Sequence, residues 1–196
     1  NNFGPRWSLD GSKLAFNYCS GEKAKHFWDI GIINADDTNF VLLTDKLDSE
    51  DDLFSPCWNP NGKSVLCQDL QNIYEIDLKG NLINKYDVQV TTSGARLSIS
   101  NDGKFLLYDR LVYEEGMWGG EPPLGIFIYD ITKKINSRLT PKGLWAGFPS
   151  WSPDQNKIIF CGQTEKDKTA NLYQMSKDGS GLKLILKNGC HPSCSR

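Results

Sequence analysis

Four copies of one short hairpin signature are spaced along this chain: Trp7-Ser8-Leu9-Asp10-Gly11, Trp58-Asn59-Pro60-Asn61-Gly62, Ile99-Ser100-Asn101-Asp102-Gly103 and Trp151-Ser152-Pro153-Asp154-Gln155. Each is followed within two residues by Lys and an apolar run. The starts lie 51, 41 and 52 residues apart, the period of a four-stranded propeller blade with loops of variable length. A fifth start is visible where Pro192-Ser193-Cys194-Ser195 lines up with Pro149-Ser150-Trp151-Ser152, 43 residues further on. The expected fold is all-β, a β-propeller of four-stranded antiparallel blades with four blades and the start of a fifth. The blades fall at about 5–53, 54–94, 95–146 and 147–188, and 189–196 begins a further blade or a closing strand. Residues 1–196 read as one propeller domain or a propeller fragment.

Blade one parses residue by residue. Arg6 to Ser8 is a short strand, Leu9 to Ser12 a turn, Lys13 to Tyr18 a second strand, Asp29 to Asn34 a third and Phe40 to Thr44 a fourth. Asp and Asn tolerate the turn backbone, Gly supplies positive φ without Cβ strain, and Pro60 or Pro153 presets φ at the corner before it. Gln155 breaks the pattern, and Asn156 is expected to take the left-handed conformation there. Leu14, Phe16 and Tyr18 alternate with Ala15 and Asn17 at period two. The later blades repeat the plan, and no segment shows a sustained helical period. Trp7, Phe16, Trp58, Leu66, Leu107, Trp151 and Phe160 recur at equivalent blade positions and are expected in the core.

Charged residues make up 23% of the chain and the net charge is −2, so no basic field is present to hold nucleic acid. The longest apolar runs are strand-length, well short of the ~20 residues of a spanning helix, so no membrane span is expected. Asn1 opens the chain without a charged-then-apolar leader, so localisation is not legible there. Of the 6 cysteines, Cys67 and Cys161 fall at the same strand position in two blades, where the other blades carry Asn17 and Tyr108, and read as free core residues. Cys190, His191 and Cys194 resemble half of a metal site, but tetrahedral zinc needs a fuller ligand set. No cofactor or metal is expected.

The composite Pro-x-Trp-Ser-Pro-Asp-Gly-x-Lys, an apolar strand, an Ile-Tyr-x-x-Asp strand and a Leu-Thr ending resembles the WD-like propeller repeat of the TolB type. Ile73-Tyr74-Glu75-Ile76-Asp77 and Ile128-Tyr129-Asp130-Ile131 supply the third strand, and Leu43-Thr44 and Leu139-Thr140 the ending. The resemblance implies a fold shared by periplasmic TolB, by the propellers of prolyl-oligopeptidase-like peptidases and by oligogalacturonate lyases. It also implies six or seven blades, so this chain reads as part of a longer propeller, with a four-blade ring as the alternative. An extracytoplasmic or periplasmic location is what the resemblance suggests. Trp28-Asp29 occurs once, without the Gly-His partner of the WD signature proper, and reads as coincidence.

The loops between second and third strands and those leading into the next blade must emerge on one face. The insertions obey that geometry: Cys19 to Phe27, Asp45 to Pro56, Arg110 to Leu124 and Pro141 to Phe148 are long, whereas the opposite turns are short. Loops on a rigid scaffold concentrate binding residues. Asp45, Asp48, Glu50, Asp51 and Asp52 make the first-blade loop acidic, and Glu114, Glu115 and Glu121 do the same for the third. The expected ligand-binding residues are Asp45, Asp48, Asp51, Asp52, Arg96, Arg110, Tyr113, Glu114, Trp118 and Trp145. The acidic stretch also reads as plain solvated surface, and Trp118 as packed on Trp145. Arg96, just ahead of an inner strand, is positioned to point into the channel of a propeller.

Catalysis has little support. The chain lacks a Gly-x-Ser-x-Gly elbow, a Gly-rich phosphate loop and a His-Glu-x-x-His pair, and His26 and His191 are its 2 histidines. The expected function is a non-catalytic module that binds a protein or peptide, or a glycan, on the decorated face. Self-association through open blade edges is a further expectation. The alternative is the propeller part of an enzyme, a peptidase or a saccharide lyase.

Overall fold

A serine hydroxyl closes the recurring hairpin. Ser8 Oγ donates to Asp10 Oδ1 (2.7 Å) and accepts the Lys13 N–H (2.9 Å). Ser100 does the same with Asp102 (2.6 Å) and Phe105 (3.0 Å), and Ser152 with Asp154 (2.6 Å) and Lys157 (2.9 Å). These bonds hold the Asp102 and Asp154 carboxyls below their ordinary range and Asp10 at about 2, the serine hydroxyl being the largest cause in each. In blade four it is Gln155, not Asn156, that adopts positive φ (61°). The Gln155 side chain secures that backbone, its Nε2 donating to Ser152 O (2.9 Å) and its Oε1 accepting the Asn101 N–H (2.8 Å).

The computed structural model describes residues 3–19, 27–47, 51–89, 96–117 and 120–192. The strands form four four-stranded antiparallel sheets, the blades of a β-propeller fold. Blade one comprises β1 (Phe3–Trp7), β2 (Lys13–Cys19), β3 (Trp28–Asn34) and β4 (Val41–Leu42). Blade two comprises β5 (Phe54–Trp58), β6 (Ser64–Gln68), β7 (Asn72–Asp77) and β8 (Leu82–Asp87). Blade three comprises β9 (Ser98–Ile99), β10 (Phe105–Leu111), β11 (Leu124–Asp130) and β12 (Ile135–Arg138). Blade four comprises β13 (Trp145–Trp151), β14 (Lys157–Gln163), β15 (Asn171–Ser176) and β16 (Lys183–Leu186). Phe54 to Pro56 and Trp145 to Phe148, read from sequence as loop, are therefore strand: a register break lets each inner strand run past its Pro and keep pairing. Among the described residues the helical structure is one 3-10 turn at Tyr113–Glu115, so no helix there is long and apolar enough to cross a membrane.

The chain divides into two compact units, Asn1–Leu97 and Ser98–Arg196. In the first, Ala15, Ile30, Leu43 and Leu53 of blade one pack with Trp58, Val65, Tyr74 and Ile76 of blade two. In the second, Leu107, Ile126 and Ala146 pack with Trp151, Ile158, Phe160 and Met175. The Leu-Thr ending has a structural reason in both. Leu43 donates its N–H to Ile30 O (2.8 Å) and Leu139 to Ile126 O (2.9 Å), while the Thr44 and Thr140 hydroxyls accept the N–H groups of Ile30 (3.0 Å) and Ile126 (3.1 Å).

Trp58, Leu66, Leu107, Trp151 and Phe160 are buried as expected, but Trp7 is 60% exposed and Phe16 is only half-buried. The cause is the preceding sheet. Trp58 seats against blade one and donates its indole N–H to Arg6 O (2.8 Å), whereas among the described residues no sheet precedes Trp7. Phe16 stacks with Phe40 at 6.3 Å on that same uncovered face.

Candidate functional site

In the first unit the acidic loop is pinned at both ends. Leu47 (3% exposed) and Leu53 (fully buried) anchor it in the core. Leu47 donates to Thr44 O (2.9 Å) and Leu53 to Trp28 O (2.9 Å). Asp52 is half-buried, and one of its oxygens accepts the N–H groups of both Phe27 (2.9 Å) and Trp28 (3.0 Å). That carboxylate organises the loop. Asp45 and Asp51 are exposed, while Asp48 and Glu50 lie outside the described residues. Beneath the loop, buried Asp29 accepts the Thr44 hydroxyl at 2.6 Å. Arg96, half-buried, stands directly before buried Leu97 at the end of the unit.

In the second unit the long blade-three loop stands on a buried base. Val112 is fully buried and donates to Pro123 O (2.8 Å), and Pro122 and Pro123 are buried beside it. The short 3-10 turn then lifts Tyr113 (63% exposed), Glu114 and Met117 (65% exposed) outward while turning Glu115 inward. Glu115 pairs with Arg138 at the end of the outer strand β12, and its other oxygen accepts the Gly143 N–H at 3.1 Å. Arg138 also donates to Pro141 O (3.1 Å). Burial alone would raise the Glu115 carboxyl, but the Arg138 guanidinium and the Gly143 amide outweigh it and hold it below the usual range. Two loops of one blade are thereby clamped together.

Arg110, half-buried, lies over the Phe127 ring at 4.2 Å, and its buried Nε has no hydrogen-bond partner. Glu114 and Glu121 are exposed and have no ion-pair partner among the described residues. Trp145 is half-buried on β13 beside Phe148, ring centroids 6.3 Å apart. Trp118, and with it the expected packing on Trp145, lies outside the described residues. Sequence reasoning missed Arg138: a lone Arg closing an outer strand carries no local signal, and its partner is 23 residues away.

One cysteine reading is overturned. Cys161 is not a free core thiol but is joined to Cys190 in a disulfide, Cα–Cα 5.0 Å. Its register also differs, since Cys161 is the counterpart of Asn17, Gln68 and Asp109, and Cys67 sits one position earlier in its blade. Cys67 remains a free thiol, buried, with its ionisation pushed far up by burial. The disulfide commits Cys190, so the half-site with His191 loses a ligand. Among the described residues no group of three His, Cys, Asp or Glu side chains is placed to hold a metal.

Buried Glu75, in blade two, is a structural carboxylate. Burial would raise it, but Asn84, Ser64, Tyr86 and Asn59 all donate to it and hold it below the ordinary range. A groove of about 690 Å³ lies in the second unit, lined by Phe105, Ile128, Ile135 and Leu139 with Lys177 and Asp178. None of the sequence-derived candidates lines it, and Lys177 Nζ rests 3.3 Å from the centroid of Phe105.

Repeated four-stranded blades built on Ser-x-Asp hairpins and Leu-Thr endings match solved propellers along nearly the whole chain. TolB of Acinetobacter baumannii superposes with a TM-score of 0.65 at 18% identity, over 95% of this chain and 44% of that one. The fold is that of a TolB-type β-propeller. A protein assigned as TolB in Agrobacterium tumefaciens gives 0.64 at 19% identity, over 91% of this chain and 62% of that one. Oligogalacturonate lyase of Vibrio parahaemolyticus superposes with a TM-score of 0.64 at 15% identity over 93% of this chain and 51% of that one. This chain thus spans between 44% and 62% of the length of these structures. No family model and no curated protein matches its sequence.

Proposed function

We propose that the protein is a non-catalytic recognition module, the TolB-like propeller portion of an extracytoplasmic or periplasmic protein, which binds a protein or peptide partner, or a glycan, through its long loops. The observation that carries this reading is the blade-three loop. Tyr113, Glu114 and Met117 are held outward on a base fixed by Val112 with Pro123 and by Glu115 with Arg138. A rigid scaffold presenting an aromatic ring, a flexible thioether and an unpaired carboxylate suits recognition, because preorganisation lowers the entropy lost on binding. Unpaired Glu114 and Glu121 favour a cationic or polar partner. Arg110 and Trp145 belong to the same unit and supply a donor and a ring. In the first unit, Asp45, Asp48, Asp51 and Asp52, with Arg96, are the second set of recognition residues in this reading. The disulfide supports an oxidising compartment.

The chain's likeness to an oligogalacturonate lyase favours the second reading, a propeller portion of an enzyme. One set of measurements separates the two. Wild type and a variant carrying Asp51→Asn, Glu114→Gln and Trp118→Ala are compared on peptide and glycan arrays, with thermal melts of both and with an assay for unsaturated product from oligogalacturonate. Recognition predicts a ligand lost by the variant at nearly unchanged melting temperature, Trp118 contributing about 2 kcal/mol if it anchors the partner. Equal binding by both proteins sinks the proposed loops, and product formation by wild type replaces recognition with catalysis.

A further inference from the structure

One position recurs in the second strand of every blade, three residues past the one that pairs with the end of the inner strand. It is Asn17 opposite Phe3, Gln68 opposite Phe54 and Cys161 opposite Gly147. Asp109 is the blade-three counterpart, three residues past Leu106 as Asn17 is three past Leu14. In two blades the side chain accepts the N–H of a left-handed residue in the next inner strand. Asn17 receives it from Ser55 (φ 59°, 3.3 Å) and Asp109 from Phe148 (φ 57°, 2.6 Å). A proline follows each, Pro56 and Pro149.

The same arrangement recurs at the end of blade four with different chemistry. His191 is left-handed (φ 56°), is followed by Pro192, and its N–H lies 2.8 Å from Cys161 Sγ. The His191 ring packs 4.3 Å from that of Phe148. Sulfur is a weak acceptor beside an amide or carboxylate oxygen, yet here the segment is also joined covalently, through Cys190 to Cys161. Cys161 is fully buried and Cys190 is exposed.

We propose that the Cys161–Cys190 disulfide is a redox-reversible latch, standing in for the Asn17 and Asp109 side chains, that holds Lys187 to Pro192 on blade four in the geometry of a strand about to open another blade. A dithiol reductant opens it in two balanced steps. One thiolate attacks the exposed Cys190 sulfur, breaks the S–S bond and expels the Cys161 sulfur, which takes up a proton. The second thiol of the reductant then displaces Cys190, which leaves as a thiol while the reductant closes to its own disulfide. Two electrons and two protons have passed to the protein, and His191 is left with a single weak N–H···S contact.

The test uses amide hydrogen exchange on oxidised protein and on protein treated with dithiothreitol, the linked peptides containing Cys161 and Cys190 being identified by mass spectrometry before and after. Reduction is expected to speed exchange around His191 roughly tenfold or more, leaving β14 and β15 protected. Cys190→Ser alone should exchange fast in either condition. Cys161→Asp combined with Cys190→Ser rebuilds the Asp109 arrangement and should restore protection that no longer responds to dithiothreitol. Unchanged exchange at His191 after verified reduction overturns the latch, as does failure of the Asp variant, properly folded by its melt, to protect that amide.

Discussion

Two tryptophans of the shared Pro-x-Trp-Ser-x-Asp motif meet opposite fates. Trp151 is 5% exposed and Trp7 60% exposed, although each follows a Pro-x pair and precedes a serine. Trp151→Ala is expected to destabilise the protein by about 3–5 kcal/mol through lost transfer energy and the cavity left behind. Trp7→Ala, measured below the concentration at which the chain associates, should stay within about 0.5 kcal/mol, as for other exposed positions. Urea melts of the two variants check this, and equal losses would mean that Trp7 is covered in solution. Motif alone cannot separate the two residues, because burial depends on the sheet that precedes each one.

At the scale of the element, the turns between third and fourth strands of blades two and four rest on the Leu-Thr endings of blades one and three. An added Cβ at Gly80 would meet Leu43 O at 3.0 Å, and at Gly179 it would meet Leu139 O at 2.9 Å, with φ of 84° at both. Gly103, at φ 70°, has open space around it. Gly103→Ala should therefore cost about 1 kcal/mol, from backbone strain alone. Gly179→Ala should cost clearly more, since it adds a clash with backbone; thermal melts showing equal losses would discount the close approach. The blade plan was legible in the sequence because turn chemistry and strand alternation are local: the Ser-x-Asp hairpins and the third strands fall where residue type puts them. The clamp of Glu115 with Arg138 and the bond of Cys161 with Cys190 were not legible, since each joins residues more than twenty positions apart whose meeting depends on how strands are staggered. A one-residue difference in register was enough to pair Cys161 with Cys67 in the reading of the repeats and so hide its true counterparts. Gln155 was misread for a similar reason, because a long-range bond to Asn101 holds its backbone in the left-handed region.

For the molecule as a whole, the first sheet presents Trp7 and Phe40 (46% exposed) with half-buried Phe16 and Tyr18 on one face. The last sheet ends in Leu184, Ile185 and Leu186, all exposed. Apolar area of this kind promotes association. The 196-residue polypeptide is expected to self-associate in sedimentation at micromolar concentration, and Trp7→Lys with Phe40→Lys should shift it toward monomer at little cost to its melting temperature. A monomeric wild type would show that these faces do not drive assembly.

The side-chain-to-amide bonds that tie blade one to blade two, blade three to blade four, and blade four to the segment after it span 38, 39 and 30 residues of chain. Closing a loop costs entropy that grows only with the logarithm of its length, so none of these closures is expensive and none waits for a distant segment. A chain leaving the ribosome can therefore lock blades one, three and four as soon as the residues that follow each of them emerge, so that assembly within each unit advances alongside synthesis.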